Sequence, residues 1–228
     1  MGGVSNRRKN DRGPFNPCST SDQQRLTKMT FQQELNSWWS PNAPETAEVP
    51  QVGSKALNTP KLQLEPGRPA ILTFLRHCGC PFAEKTFLNF REIAKDNKDL
   101  DFIAVSHSDE EATTTWLRSL PQAGSEPSNL RIVVDDKVEI YAAWGLGISS
   151  FAHTLSPASM YSVWKLGRTE GVWNRPTESG SRWQTAGTYS VDGDGVVRWG
   201  GPAQRADDIP DLEAAVQSVR GEKSGAKL

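Results

Sequence analysis

The chain has 228 residues, 36% of them hydrophobic, and a formal net charge of -1. That length suits one domain with extensions, or one domain plus a small one. The near-zero charge excludes a whole-chain electrostatic surface for nucleic acid, and no run approaches the roughly 18 apolar residues of a membrane helix.

Residues 1–45 are rich in Asn, Ser, Gln and charge. They read as a mostly disordered arm, with Trp38 and Trp39 docking on the domain. The basic start (Arg7, Arg8, Lys9) has no apolar stretch behind it, so no secretory signal is expected. Residues 41–69 hold six prolines, which predicts an extended segment with turns. The domain proper is expected over residues 46–220.

Residues 70–75 (AILTFL) are a nearly continuous apolar run, the pattern of a strand buried on both faces of a parallel sheet. Phe82, Thr86, Phe87, Phe90, Ile93 and Ala94 then recur at helical spacing, predicting a helix over 81–97. Residues 101–106 (DFIAVS) are a second strand. Ser108-Asp109-Glu110-Glu111 opens a helix that runs to Leu120. A third strand covers 131–135, and a helix over 137–144 ends at Gly145. Residues 145–186 break the rhythm and read as an irregular insertion carrying Trp164, Trp173 and Trp183, with a short helix over 157–165. Residues 187–191 and 196–199 flank Asp192-Gly193-Asp194-Gly195, a hairpin signal. Asp208 is expected to cap a last helix over 209–219, with Pro210 in its first turn. A flexible tail, 221–228, ends in Ala226-Lys227-Leu228, a small-for-small variant of the peroxisomal Ser-Lys-Leu address; cytoplasmic and peroxisomal placement both stay open. The alternation predicts an α/β three-layer fold, with a mixed central sheet and helices on both faces.

Chemistry concentrates in Arg76-His77-Cys78-Gly79-Cys80-Pro81-Phe82-Ala83-Glu84. Pro81 suits the first helical position, which makes Cys80 the N-cap. Unpaired N–H groups and the positive end of the helix dipole would face its sulfur, and Arg76, His77 and Lys85 add positive potential. All of these favour the thiolate, which is the nucleophile. The other cysteines are Cys18, an exposed spectator in the arm, and Cys78. An odd count with two of the three this close is no disulfide framework; it fits a reducing compartment.

The run from residue 71 to 85 resembles fungal peroxiredoxin-like proteins, also described as alkyl-hydroperoxide-reductase/thiol-specific-antioxidant-like, within the thioredoxin superfamily. The similarity extends over roughly residues 50–220. It takes in Ser106-His107-Ser108, residues 141–147, and Gln184-Thr185-Ala186-Gly187-Thr188-Tyr189. It implies a thioredoxin-like fold and a redox thiol at Cys80. Three departures stand out. Ala83 occupies the place of the relatives' second, resolving cysteine. His77 stands where typical peroxiredoxins carry Thr. Gly187 falls where thioredoxins place a cis-proline facing the cysteine.

Other residues leave alternatives. Cys78 is either a resolving thiol, through a strained Cys-Gly-Cys disulfide, or a core residue ending the strand. His107 lies at the carboxyl end of a parallel strand, where ligand sites collect; it is a general base or a loop cap. Glu84 exchanges protons with the sulfur or pairs with Lys85 or Arg91. Pro81, Phe82, Glu84, Gly187, Thr188 and the three insertion tryptophans are candidate substrate-pocket walls. Equally, the tryptophans anchor the insertion. His153 is read as solvent-facing. His77, Cys78 and Cys80 are too crowded for a tetrahedral zinc site, so no metal and no cofactor are expected.

The first functional expectation is a thiol-dependent peroxide or disulfide reductase. It would use Cys80, Cys78, His77, Arg76 and His107, an external thiol reductant and possible pairing into a homodimer. The second is a fungal biosynthetic tailoring enzyme acting on an apolar metabolite. The third is a non-catalytic module with a degenerate site.

Overall fold

The computed structural model describes residues 45–149, 157–173, 175 and 179–221. The expectations for the N-terminal arm with Cys18, Trp38 and Trp39, for His153 and for the last seven residues lie outside them.

Five strands form one sheet in the order β3-β2-β1-β4-β5. β1 (Ala70–Phe74) is central, and all its residues are buried. It runs parallel to β2 (Asp101–Ser106), which runs parallel to β3 (Leu130–Val134). β4 (Gly187–Val191) pairs antiparallel with the other side of β1, placing Leu72 opposite both Ile103 and Tyr189. β5 (Val197–Pro202) closes the hairpin as the edge strand.

The alternation of β1 and β2 splits the core into two layers, because successive side chains point to opposite faces. Ile71, Leu75, Phe102 and Ala104 meet Phe87 and Phe90 of α1 (Pro81–Asp96) and Ala215 and Val216 of the C-terminal helix. Leu72, Phe74, Ile103 and Val105 meet Tyr141, Trp144 and Leu62 on the opposite face. Phe90 is wholly buried and stacks edge-on against Phe102 at 5.1 Å. Truncating such a ring to Ala costs about 3–5 kcal/mol.

Side chains fix the helix starts. The helix α2 (Glu110–Ser119) opens where the capping pattern predicts, but its cap is Asp109, which accepts the Ala112 N–H at 2.8 Å, and not Ser108. Asp135, fully buried, accepts three N–H groups at the start of α3 (Glu139–Ala143), from Glu139, Ile140 and Tyr141. Burial pushes its carboxyl up, and those three donors pull it back.

Two helix boundaries differ most from the sequence expectation. The helix α4 (Pro157–Glu170) continues past residue 165. Its Gly167 carries the Trp173 ring so closely that an added Cβ would lie 2.5 Å from it. The insertion therefore holds a regular helix of 14 residues. The last helix, α5 (Leu212–Arg220), starts later than expected and is capped by Asp211, which accepts the Ala214 N–H at 2.9 Å. Asp208 instead accepts the Arg205 N–H at 2.8 Å and closes the preceding turn. Pro210 thus precedes the cap.

Candidate active site

The turn from β1 into α1 puts Cys80 at the N-cap. The Cys80 N–H donates to the His77 carbonyl at 3.1 Å, and the Cys80 carbonyl accepts from Glu84 N at 3.1 Å. Gly79 has φ +100°, a left-handed conformation that side-chain-bearing residues rarely adopt. Pro81 is the first helical residue, and no side chain caps the helix. The Cys80 sulfur stands at that end of the helix but accepts no first-turn N–H as a cap. Cys80 is 5% exposed and borders the apolar cluster of α1. It is at a helix start, as the sequence predicts, and it is more enclosed than a freely reachable thiol.

Cys78, two residues earlier, has a different environment. Its backbone N–H donates to Ser108 Oγ at 3.1 Å. Its thiol donates to Thr113 Oγ1 at 3.9 Å and lies 3.8 Å from Ser106 Oγ. Ser106 and Thr113 are themselves 2.9 Å apart. Burial pushes the Cys78 thiol up, against the hydroxyls that would favour the thiolate, and Asp109 adds to the rise. Both cysteines are free thiols. The core-residue alternative describes the surroundings of Cys78; the hydroxyl cluster was not anticipated.

Arg76, His77 and His107 come together where β1 and β2 end. Arg76 donates from Nη2 to the Arg182 carbonyl at 2.6 Å. His107 Nε2 lies 3.1 Å from both the N and O of Ser181. Ser108 Oγ donates to the Ser179 carbonyl at 3.0 Å. The segment 179–182 thus lies across the strand ends, tied down by the residues the sequence picks out. Gly180 packs there with φ +85°, and a Cβ on it would come within 2.9 Å of Ser108 Oγ. His77 is buried, and neither ring nitrogen has a hydrogen-bond partner. Burial, then the Arg76, Arg182 and His107 charges, push its pKa well below the ordinary value. Burial likewise lowers His107 to about 4. Both imidazoles are therefore neutral at pH 7, so neither adds the positive charge expected near the sulfur.

Glu84 pairs with neither Lys85 nor Arg91. Its Oε1 accepts from Arg175 Nη2 at 3.1 Å, while Lys85 bonds Glu170 and Arg91 faces Glu126. Burial pushes the Glu84 carboxyl up, opposed by Arg175. Arg175 also donates its backbone N–H to the Gly79 carbonyl at 2.9 Å and its guanidinium to Ser119 Oγ at 2.7 Å. It ties the insertion to the cysteine turn.

The predicted pocket walls and catalytic residues divide. Arg76, Phe82, Gly187 and Thr188 line a cavity of about 640 Å³ between β1, the β4–β5 hairpin, the start of α1 and residues 203–211. Pro81, Glu84, the two cysteines and the three tryptophans are not on its wall. Trp164 and Trp173 are about half exposed, and Trp183 is buried with its carbonyl accepting from Ser149. The anchoring alternative describes Trp173 and Trp183; Trp164 is a surface residue under Arg168. Among the described residues no group of three or more His, Cys, Asp or Glu could hold a metal ion. No helix among them is long and apolar enough to cross a membrane.

Solved structures with the same arrangement of sheet and helices settle the fold. A peroxiredoxin-like protein from Aquifex aeolicus is 14% identical, over 77% of this chain and 90% of that one, with TM-score 0.51. A thiol peroxidase from Chromobacterium violaceum is 12% identical, over 83% and 97%, with TM-score 0.50. A cysteine mutant of peroxiredoxin 6 of Arenicola marina is 11% identical, over 78% and 75%, with TM-score 0.53. The fold is the thioredoxin-like fold of the peroxiredoxins. No protein-family model and no curated protein sequence matches the chain.

Within this peroxiredoxin-like fold, sequence reasoning missed Arg175, Thr113 and the 179–182 crossing. Thr113 was in view, since its spacing from Trp116 puts it on the buried face of α2. Arg175 carried no signal, because it meets Glu84 across 91 positions of chain.

Proposed function

We propose that this protein reduces hydroperoxides through Cys80, with an external thiol as reductant. One observation carries the reading: Cys80 is the N-cap of α1, at the positive end of the helix, with Pro81 as the first helical residue. Such a position stabilises the thiolate. The thiolate attacks the nearer peroxide oxygen. The S–O bond forms, the O–O bond breaks, and the alkoxide leaves and takes up a proton as the alcohol; the sulfur is oxidised to sulfenic acid. One external thiol condenses with it, releasing water and leaving a mixed disulfide. A second external thiol releases Cys80 and carries away the oxidised reductant. Cys78 takes no part, since its thiol is held protonated among Ser106, Ser108 and Thr113. The likeness to peroxiredoxin and thiol peroxidase structures supports the reading at the level of fold.

The test follows peroxide loss with a dithiol reductant present. The wild type should consume peroxide catalytically, and Cys80→Ser should fall to the rate of the reductant alone. Equal rates would reject the reading.

A second reading is favoured by the cavity, which lies beside the first turn of α1 but does not include Cys80. On that reading the fold turns over an apolar metabolite there, and activity on it survives Cys80→Ser.

A further inference from the structure

We propose that the cavity between β1, the β4–β5 hairpin and residues 203–211 binds an apolar molecule ending in a carboxylate, with Arg76 gripping the carboxylate. The inference is independent of any thiol chemistry, because neither cysteine lines the cavity.

Arg76 is the first part of the argument. It lines the cavity and is only 7% exposed. Its one hydrogen bond runs from Nη2 to the Arg182 carbonyl, and Nε has no partner. No carboxylate pairs with it among the described residues, whereas Arg91, another well-buried arginine, faces Glu126. A guanidinium so far out of water without a counter-charge is costly, and a bound anion removes that cost. The backbone bond to Arg182 fixes the side chain, and a planar fork with spare donors matches a carboxylate.

The remaining wall sets the body of the ligand. Phe82, Trp199 and Ala186 are apolar, and the cavity of about 640 Å³ falls in the range of small-molecule sites. The hydroxyls of Thr73 and Thr188 lie 3.1 Å apart, and one donates to the other. The acidic side chains on the wall, Asp208 and Asp211, are exposed at the rim; Asp208 accepts the Arg205 N–H, and Asp211 caps α5 by accepting the Ala214 N–H. The buried end is therefore the cationic one. Gly201 completes the site: a Cβ added there would meet nothing within 4 Å, and its backbone conformation is an ordinary one.

Calorimetric titration of the full chain with octanoate, octanol and octylammonium tests this directly. Octanoate should bind at least roughly tenfold more tightly than the other two, the usual worth of a charge-assisted contact. Arg76→Gln should remove that preference and leave octanol binding within about twofold. Gly201→Leu, which fills the space from an edge strand, should weaken octanoate by roughly tenfold or more while the thermal midpoint is kept. Equal binding of the three probes, a preference for octylammonium, no binding at all, or unchanged octanoate affinity in Gly201→Leu would each overturn the proposal.

Discussion

Cys78 and Cys80 stand two residues apart on one turn, and the fold gives them opposite surroundings. Cys78 belongs to the β2–α2 side, where three hydroxyls enclose its thiol and burial keeps the proton on it. Cys80 belongs to the α1 side, at the N-cap of the helix. Proximity in sequence does not make a pair of equivalent thiols. Gly79 allows this division, because its left-handed backbone turns the chain between them. Charge follows the same boundary. The imidazoles of His77 and His107, beneath the 179–182 crossing, are neutral, while an Arg175–Glu84 ion pair ties down the first turn of α1.

The largest expected effect separates the two cysteines. Cys80→Ser should lower peroxide turnover by roughly a thousandfold, while Cys78→Ala should stay within about threefold, read from initial rates. Comparable losses in both would merge the two environments into one dithiol site.

The next effect concerns the neutral imidazole at His107. Its folded pKa, about 4, lies below the unfolded value of 6.5. Its contribution is therefore complete above pH 6.5 and is lost as the pH falls towards about 4, where the folded state finally takes the proton as well. The loss across that window is about 3 kcal/mol. His107→Asn should flatten the stability profile by that amount in urea unfolding between pH 7 and 4. Parallel profiles would mean that the folded protein does not lower the His107 pKa.

Thr113→Val tests the hydroxyl cluster. It leaves Ser106 and the Cys78 thiol short of a partner and should cost about 1–2 kcal/mol, measured by denaturant midpoint, with the peroxide rate unchanged. A matching fall in rate would make the cluster part of the chemistry.

The smallest effect is that of Arg175→Ala. Arg175 is more than one-third exposed, so its loss should cost only about 1 kcal/mol. The Glu84 carboxyl would rise further, since the charge opposing its burial is gone. Carboxyl titration by NMR reads that rise, and an unmoved carboxyl would mean that the pair does not form in solution.

The sequence made some of this legible and hid the rest for physical reasons. The central strand showed as an unbroken apolar run because both of its faces are covered. The start of α1 showed because Pro81 and Cys80 are adjacent, and a cap is a local device. The Asp192–Gly195 turn announced the hairpin the same way. The last helix was placed three residues early because Asp208 and Asp211 both precede it and either spacing makes a plausible cap; the Arg205 N–H decides between them. The partners of Glu84, Arg76 and His107 were out of reach. Each lies between 74 and 106 positions along the chain, so only the assembled sheet brings it near. Local charge guessed Lys85 or Arg91 for Glu84, and topology supplied Arg175. The insertion tryptophans misled in another way. They looked like pocket walls, yet the cavity formed from the hairpin, and one ring went to cover Gly167.

The central claim is that the helix start singles out one sulfur. Treating the protein with one equivalent of hydrogen peroxide in the presence of a sulfenic-acid-trapping diketone, followed by peptide mass spectrometry, measures this directly. The account predicts the adduct on Cys80, with Cys78 still a free thiol. An adduct on Cys78, a Cys78–Cys80 disulfide, or no oxidation of either would contradict it.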